Sequence, residues 1–137
     1  MIKIVKVYIV EDDEDLQDIY KIFLSLMGCE IVGLKANGDE ALIDLYFNYK
    51  DFPPDILIVD HHLQGKKGLV LLEDLKNLNS LDKTRVLFIT CALETRIEAL
   101  KLGASRFILK PCNINLLGKT IQEVIEENEL SLLIPSN

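Results

Sequence analysis

Asp55-Ile56-Leu57-Ile58-Val59-Asp60 (DILIVD) sets four consecutive apolar residues between two acids. A strand with one wet face alternates apolar and polar side chains, because successive residues point to opposite faces. This segment has no polar residue to turn outward, so both of its faces must be covered. Burial on both faces is the mark of a parallel sheet clad by helices on each side.

Segments of similar composition occur at Lys3–Val10, Glu30–Lys35, Arg85–Thr90 and Ser105–Leu109. Helical patterns lie between them. Leu16, Ile19, Tyr20, Phe23, Leu24 and Met27 recur at helical spacing, and Gly28 follows as a stop signal. Asn37 with Glu40 resembles a capping box opening a helix through Ala41, Leu42, Leu45 and Tyr46. Leu69–Leu78, Glu94–Leu102 and Asn115–Glu127 supply three more, with Gly103 ending the fourth. A βα unit repeated five times predicts an α/β fold: an open, doubly wound, five-stranded parallel sheet with five helices, flavodoxin-like in plan.

The chain has 137 residues, enough for one domain, and its 49% hydrophobic content is enough for an ordinary core. A net charge of -7 argues against a nucleic-acid grip, which needs clustered Lys and Arg, and against adsorption to anionic lipid. No apolar stretch reaches the length of a membrane span, and the N-terminus lacks a small-residue cleavage site. Cys29, Cys91 and Cys112 are odd in number and scattered, which fits reduced thiols and a cytoplasmic protein.

In such sheets ligands bind at the carboxyl ends of the strands, beside the point where strand order reverses. The predicted strand ends carry Glu11, Asp12 and Asp13; Asp60; Thr90; and Lys110-Pro111. Crowded carboxylates repel, so a cation is expected among them, and hard oxygens suit Mg²⁺. Asp13 to Asp15 instead open a helix, where negative charge meets the positive end of the dipole.

These residues, in this order on these strand ends, resemble the receiver domain of two-component response regulators. The resemblance covers about residues 3–128, and the receiver domain is taken as 1–129 with a tail at 130–137. It implies that Asp60 is the phosphoryl acceptor. It implies further that Asp12 ligates Mg²⁺ directly, Glu11 through water, and His62 through its backbone carbonyl, with Asp60 completing the set. Lys110 would contact a phosphoryl oxygen, Thr90 would hydrogen-bond one once attached, and Phe107 matches an aromatic switch position. The implied donor is a phosphohistidine on a sensor histidine kinase or phosphotransfer protein. No output domain is expected, so the readout would fall to a downstream protein partner, a relay histidine or a homodimer, through the fourth helix, fifth strand and fifth helix, with Ile97, Lys101 and Phe107 as contacts. Such a protein catalyses only its own phosphorylation and dephosphorylation.

The sequence departs from the family pattern in places. Gln64 stands where Pro is common, and Lys66 and Lys67 make the following loop basic, so a less rigid loop is expected. His62 and Ala92 hold the positions that tune access of attacking water. Cys91 follows Thr90 where a smaller residue is usual, so its sulfur is expected to narrow the phosphoryl pocket. Thr90 lies 30 positions after Asp60, and Lys110 only 20 after Thr90, which implies a trimmed loop before the fourth helix.

Two other readings compete. A phosphorylation-independent interaction module would have lost one of the acid, Asp, Thr or Lys positions, and none is lost. An Mg²⁺-dependent phosphohydrolase needs a second acid/base soon after the nucleophile, and His62 stands there in place of an aspartate. His61-His62 is not read as a zinc pair, since adjacent residues on an extended chain point oppositely and rarely share one ion. Gly118-Lys119-Thr120 mimics the end of a phosphate loop, but it falls within a helical apolar pattern.

Overall fold

The computed structural model describes residues 3–133, with side chains described as far as Glu127. Five strands, β1 (Lys6–Val10), β2 (Glu30–Lys35), β3 (Ile56–Val59), β4 (Arg85–Thr90) and β5 (Arg106–Leu109), form one sheet in the order β2-β1-β3-β4-β5. Every pairing is parallel. The helices are α1 (Glu14–Leu26), α2 (Gly38–Asn48), α3 (Gly68–Asn77), α4 (Arg96–Lys101) and α5 (Ile114–Leu133). Strand order reverses between β1 and β3, which marks the crevice for a ligand.

The unbroken apolar runs divide between two cores with period two. Tyr8, Val10, Leu57, Val59, Val86 and Phe88 face the layer built with α2, α3 and α4. Val7, Ile9, Ile56, Ile58, Leu87 and Ile89 face the layer containing Tyr20 and Leu24 of α1 and Leu117, Ile121 and Val124 of α5. That split is why β3 has no polar residue to spare. Where α1 and α5 approach, Gly118 makes room for the Phe23 ring: a Cβ there would sit 2.6 Å from the ring, which would have to shift. The phosphate-loop mimic is thus the interior of α5, and Thr120 turns its hydroxyl back onto the Leu116 carbonyl at 2.8 Å.

The caps follow the residue chemistry. Asp13 Oδ1 accepts from the Leu16 amide at 3.0 Å and starts α1. Asn37 Oδ1 accepts from the Asp39 and Glu40 amides at 2.8 and 3.2 Å and starts α2. Asn113 Oδ1 accepts from the Leu116 amide at 2.7 Å. Gly28 and Gly103 hold φ of +80° and +102°, the left-handed conformation that ends a helix cheaply only with glycine.

Several boundaries move. β1 starts at Lys6 because the Lys6 amide turns to the Asp55 carboxylate, at 2.9 Å, which also takes Lys3 Nζ at 2.8 Å. α4 is only six residues long; a 3₁₀ turn at Leu93–Thr95 precedes it, closed by the Thr95 hydroxyl on the Ala92 carbonyl at 2.6 Å. α5 runs to Leu133, into the stretch read as a tail, and the rest of that stretch lies outside the described residues. Among the described residues no helix is long and apolar enough to cross a membrane.

Candidate phosphoryl and metal site

Three of the site residues are the first positions beyond the ladder, and the ladder still holds their backbones. The Glu11 amide donates to the Lys35 carbonyl at 3.0 Å, the Asp60 amide to Val10 at 3.1 Å, and the Lys110 amide to Thr90 at 2.9 Å. Glu11, Asp60 and Lys110 are thereby set side by side above the switch point. Lys110 Nζ lies 2.7 Å from Glu11 Oε1 and 3.0 Å from Asp60 Oδ2. These side chains are 16%, 1% and 6% exposed, so all three charges are largely out of water. Asp12, next along the chain, is exposed and closes the group.

One donor oxygen from each of Glu11, Asp12 and Asp60 lies within 4.8 Å of the others. With all three ionised, the carboxylates exceed the one ammonium by two negative charges, which is the charge of one hard divalent cation. Oxygen donors in this number suit Mg²⁺, which binds through one or two carboxylates and keeps the rest of its shell for water and phosphate. The residues present therefore fit the ion the sequence implies.

The same imbalance sets the acidities. Burial raises Glu11, and although Lys110 pulls it down, the Asp60 charge helps hold it at about 7. Asp60 is also pushed up by burial, but the Thr90 hydroxyl, the Lys110 ammonium and the His62 amide outweigh that and hold it below its usual range. Lys110 loses solvent, yet Glu11 and Asp60 keep it protonated beyond its ordinary range. Asp60 is thus an ionised carboxylate at neutral pH, as a nucleophile must be, while Glu11 shares a proton.

A stability effect follows, with opposite signs for the two acids. Glu11 is raised on folding, so its contribution is complete below the unfolded value of 4.5 and lost as pH rises through about 7. Asp60 is lowered, so its contribution is lost only as pH falls below 3.8. In magnesium-free buffer, unfolding free energy should drop by about 1–3 kcal/mol between pH 5 and 8. Denaturant melts at fixed pH measure it, and Glu11→Gln should flatten the slope.

Thr90 is fully buried at the end of β4, with its Oγ1 accepting from the Ala92 amide at 3.3 Å. Phe107 is half-buried on β5 and stacks on Phe88, with ring centroids 6.1 Å apart. Ile97 and Lys101 are exposed on α4. Cys91 shares the parity of Ile89 and lines an apolar cavity with Lys110, Pro111 and Cys112, on the α1 and α5 side of the sheet.

The loop after Asp60 differs from the sequence expectation. Without Pro at position 64 the chain is pinned from across the sheet: Gly38 N–H donates to the Gln64 carbonyl at 2.8 Å, and Gln64 N–H to Ala36 at 3.3 Å. Asp39 accepts from the Lys66 amide at 3.1 Å, and Lys66 Nζ pairs with Asp74 at 2.8 Å. The loop is therefore fastened rather than slack, and one of its two lysines is paired. Asn37, Asp39 and Gln64 were not legible as loop anchors, because they meet only through the β2–β1–β3 order. Gly38 is essential to the clamp, since a Cβ there would lie 2.0 Å from the Lys66 carbonyl oxygen. Gly38→Ala should lower stability by about 1–3 kcal/mol, read by thermal or denaturant melting.

The two histidines do not point apart. The chain turns at this point, so their rings meet edge to face at 5.2 Å, and His61 Nδ1 accepts from the Leu69 amide at 3.4 Å. Among the described residues the converging ligand set is the acidic one, and neither histidine belongs to it.

An acidic trio, a buried Thr and a Lys over a parallel βα sheet ordered 2-1-3-4-5 define a class of signalling domain. The chain belongs to the response regulator receiver domain family, which it matches over residues 7–122. It is 27% identical over 120 residues to the luminescence regulatory protein LuxO of Vibrio campbellii, covering 86% of this chain and 25% of that protein. It is 30% identical over 101 residues to the transcriptional regulatory protein YesN of Bacillus subtilis, covering 74% and 26%. The chain thus spans about a quarter of the length of these curated relatives. Among solved structures, the CheY-like receiver domain of Methanospirillum hungatei is 26% identical with a TM-score of 0.80, over 94% of this chain and 99% of that one. The response regulatory domain of mrkE from Klebsiella pneumoniae is 27% identical with a TM-score of 0.81, over 92% and 99%. The family is one of signalling switches rather than of classical catalytic enzymes.

Proposed function

We propose that this receiver domain is a phosphoacceptor switch in which Asp60 takes a phosphoryl group from a phosphohistidine of a sensor kinase or phosphotransfer protein. The observation that carries the reading is the bridging of buried Glu11 and Asp60 by one ammonium, Lys110, at 2.7 and 3.0 Å. An Asp60 oxygen attacks phosphorus, the P–O bond forms as the P–N bond breaks, and the freed imidazole nitrogen retains the electron pair. Lys110 is placed to meet charge gathering on the phosphoryl oxygens, and the Thr90 hydroxyl to hydrogen-bond one of them. Glu11, Asp12, Asp60 and the His62 carbonyl would hold Mg²⁺, which neutralises phosphoryl charge as a Lewis acid when bound.

The product places a dianion beside Lys110, competing with Glu11 for the same amine. Thr90 shifts toward the new charge, Phe107 repacks on Phe88, and the surface of α4, β5 and α5 changes for a protein partner or a second copy. The setting is cytoplasmic, and neither nucleic acid nor membrane is a direct partner of this domain. Incubation with Mg²⁺ and a small acyl phosphate, followed by intact mass, tests the reading. The wild type should gain the mass of one phosphoryl group. A chain that never gains it fits the phosphorylation-independent interaction module instead, and rapid continuous release of phosphate fits a hydrolase.

A further inference from the structure

We infer that the edge of the sheet opposite Asp60 carries a second ligand site, for a phosphorylated nucleoside. A cavity of about 710 Å³ opens there, walled by the starts of β1, β4 and β5 and by the loops before β3 and β4. Its size is that of a small-molecule site, about 300–1,000 Å³. In a chain of net charge -7, Lys3, Lys6, Lys83 and Arg85 gather on its walls against Asp51, Asp55 and Asp82.

The pairing among these groups is incomplete. Asp55 is occupied, by Lys3 Nζ at 2.8 Å and the Lys6 amide at 2.9 Å. Among the described residues, no carboxylate lies within ion-pair distance of Lys6, Lys83 or Arg85. Asp51 and Asp82 share the walls without closing on these three cations, so the lining keeps an excess of one positive charge, and an anion able to meet more than one cation is favoured. Arg85 is half-buried at the foot of β4, and its planar fork matches phosphate oxygens two at a time. Ser105 adds a hydroxyl to the same wall.

The lip supplies the rest of the recognition. Phe52 lines the cavity yet is 80% exposed, a flat ring open to stacking by a base. Asp51 and Asp82 offer acceptors to exocyclic amines or ribose hydroxyls and disfavour a bare polyanion. A nucleoside bearing one or two phosphates satisfies the cations, the ring and the acids together.

The test is a titration of the full chain with ADP in metal-free buffer, which keeps the ligand from bridging to the acidic site, followed by backbone amide shifts. Saturable shifts are expected around Lys6, Lys83 to Arg85 and Ser105, with the Asp60 edge unmoved. The variant Lys83→Gln with Arg85→Gln should bind about tenfold or more weakly. Phe52→Ala should weaken ADP binding and leave pyrophosphate binding unchanged. Absence of saturation to about 10 mM, wild-type affinity in the double variant, or shifts centred on Glu11 and Asp60 each overturn the proposal. Equal binding of pyrophosphate and ADP, indifferent to Phe52, overturns the nucleoside. Should the double variant lose its dispersed spectrum, exposed Lys83→Gln alone carries the comparison. Asp60→Asn should bind ADP as the wild type does, so this site and the phosphoacceptor reading stand or fall separately.

Discussion

Asp60→Asn is expected to take up no phosphoryl group from an acyl phosphate donor under conditions that load the wild type, while keeping its fold. The amide has nearly the shape of the carboxylate, so the β3 end and its hydrogen bond to Val10 should survive. What disappears is an ionised oxygen nucleophile that the Thr90 hydroxyl and Lys110 ammonium hold in its charged form. The substitution also removes one of the charges that raise Glu11, so Glu11 should ionise at lower pH, paired with a Lys110 it no longer shares. Two measurements separate the effects: intact mass for the covalent step, and a pH series of melts for the Glu11 proton. A mass gain in Asp60→Asn would move the acceptor to another carboxylate, with Glu11 and Asp12 the nearest. The expected loss is complete, because no neighbour replaces a nucleophile set by the ladder itself.

Much of this site was legible because its residues sit at strand ends, and strand ends are readable from apolar runs. Val7 to Val10, Ile56 to Val59 and Arg85 to Thr90 each stop where the chemistry begins. The βα repeat implies a doubly wound parallel sheet, and the observed strand order brings Glu11 beside Asp60 though 49 positions separate them. What the sequence could not display was contact across that order. Asn37, Asp39 and Gln64 look like ordinary cap and loop residues; only adjacency of β2, β1 and β3 turns them into a clamp below the acceptor. The relative direction of the two histidine rings was misread for a related reason. Divergence of neighbours holds for extended chain, and the chain turns just past Val59, with the Leu63 and Gly68 amides both on the His61 carbonyl. Helix ends were hidden where side chains override periodicity, as at Thr95, whose hydroxyl closes a 3₁₀ turn before α4.

Lys110→Met should be the most disruptive single change that leaves the acceptor in place. The aliphatic stem is retained, but buried Glu11 and Asp60 lose the cation that lies between them at 2.7 and 3.0 Å. Removing one partner of a buried ionic group costs about 3–5 kcal/mol when the remaining charge has no other compensation. Here a proton can substitute in part, since Lys110 is what draws Glu11 down and its absence lets Glu11 rise above about 7. The deficit should therefore be largest near pH 8 and shrink toward pH 5, where Glu11 is neutral in both proteins. Phosphorylation should suffer at every pH, because the amine aimed at the phosphoryl oxygens is gone; the loss of one such preorganised donor is about 100-fold or more in rate. Lys110→Arg separates the two roles: it keeps a positive charge near the acids but replaces the compact ammonium with a planar fork. Stability closer to wild type with phosphorylation still slow would show that the ammonium's placement, and not its charge alone, drives the transfer. A Lys110→Met protein phosphorylated at nearly the wild-type rate would remove Lys110 from the chemistry and leave it a structural counter-ion to Glu11 and Asp60.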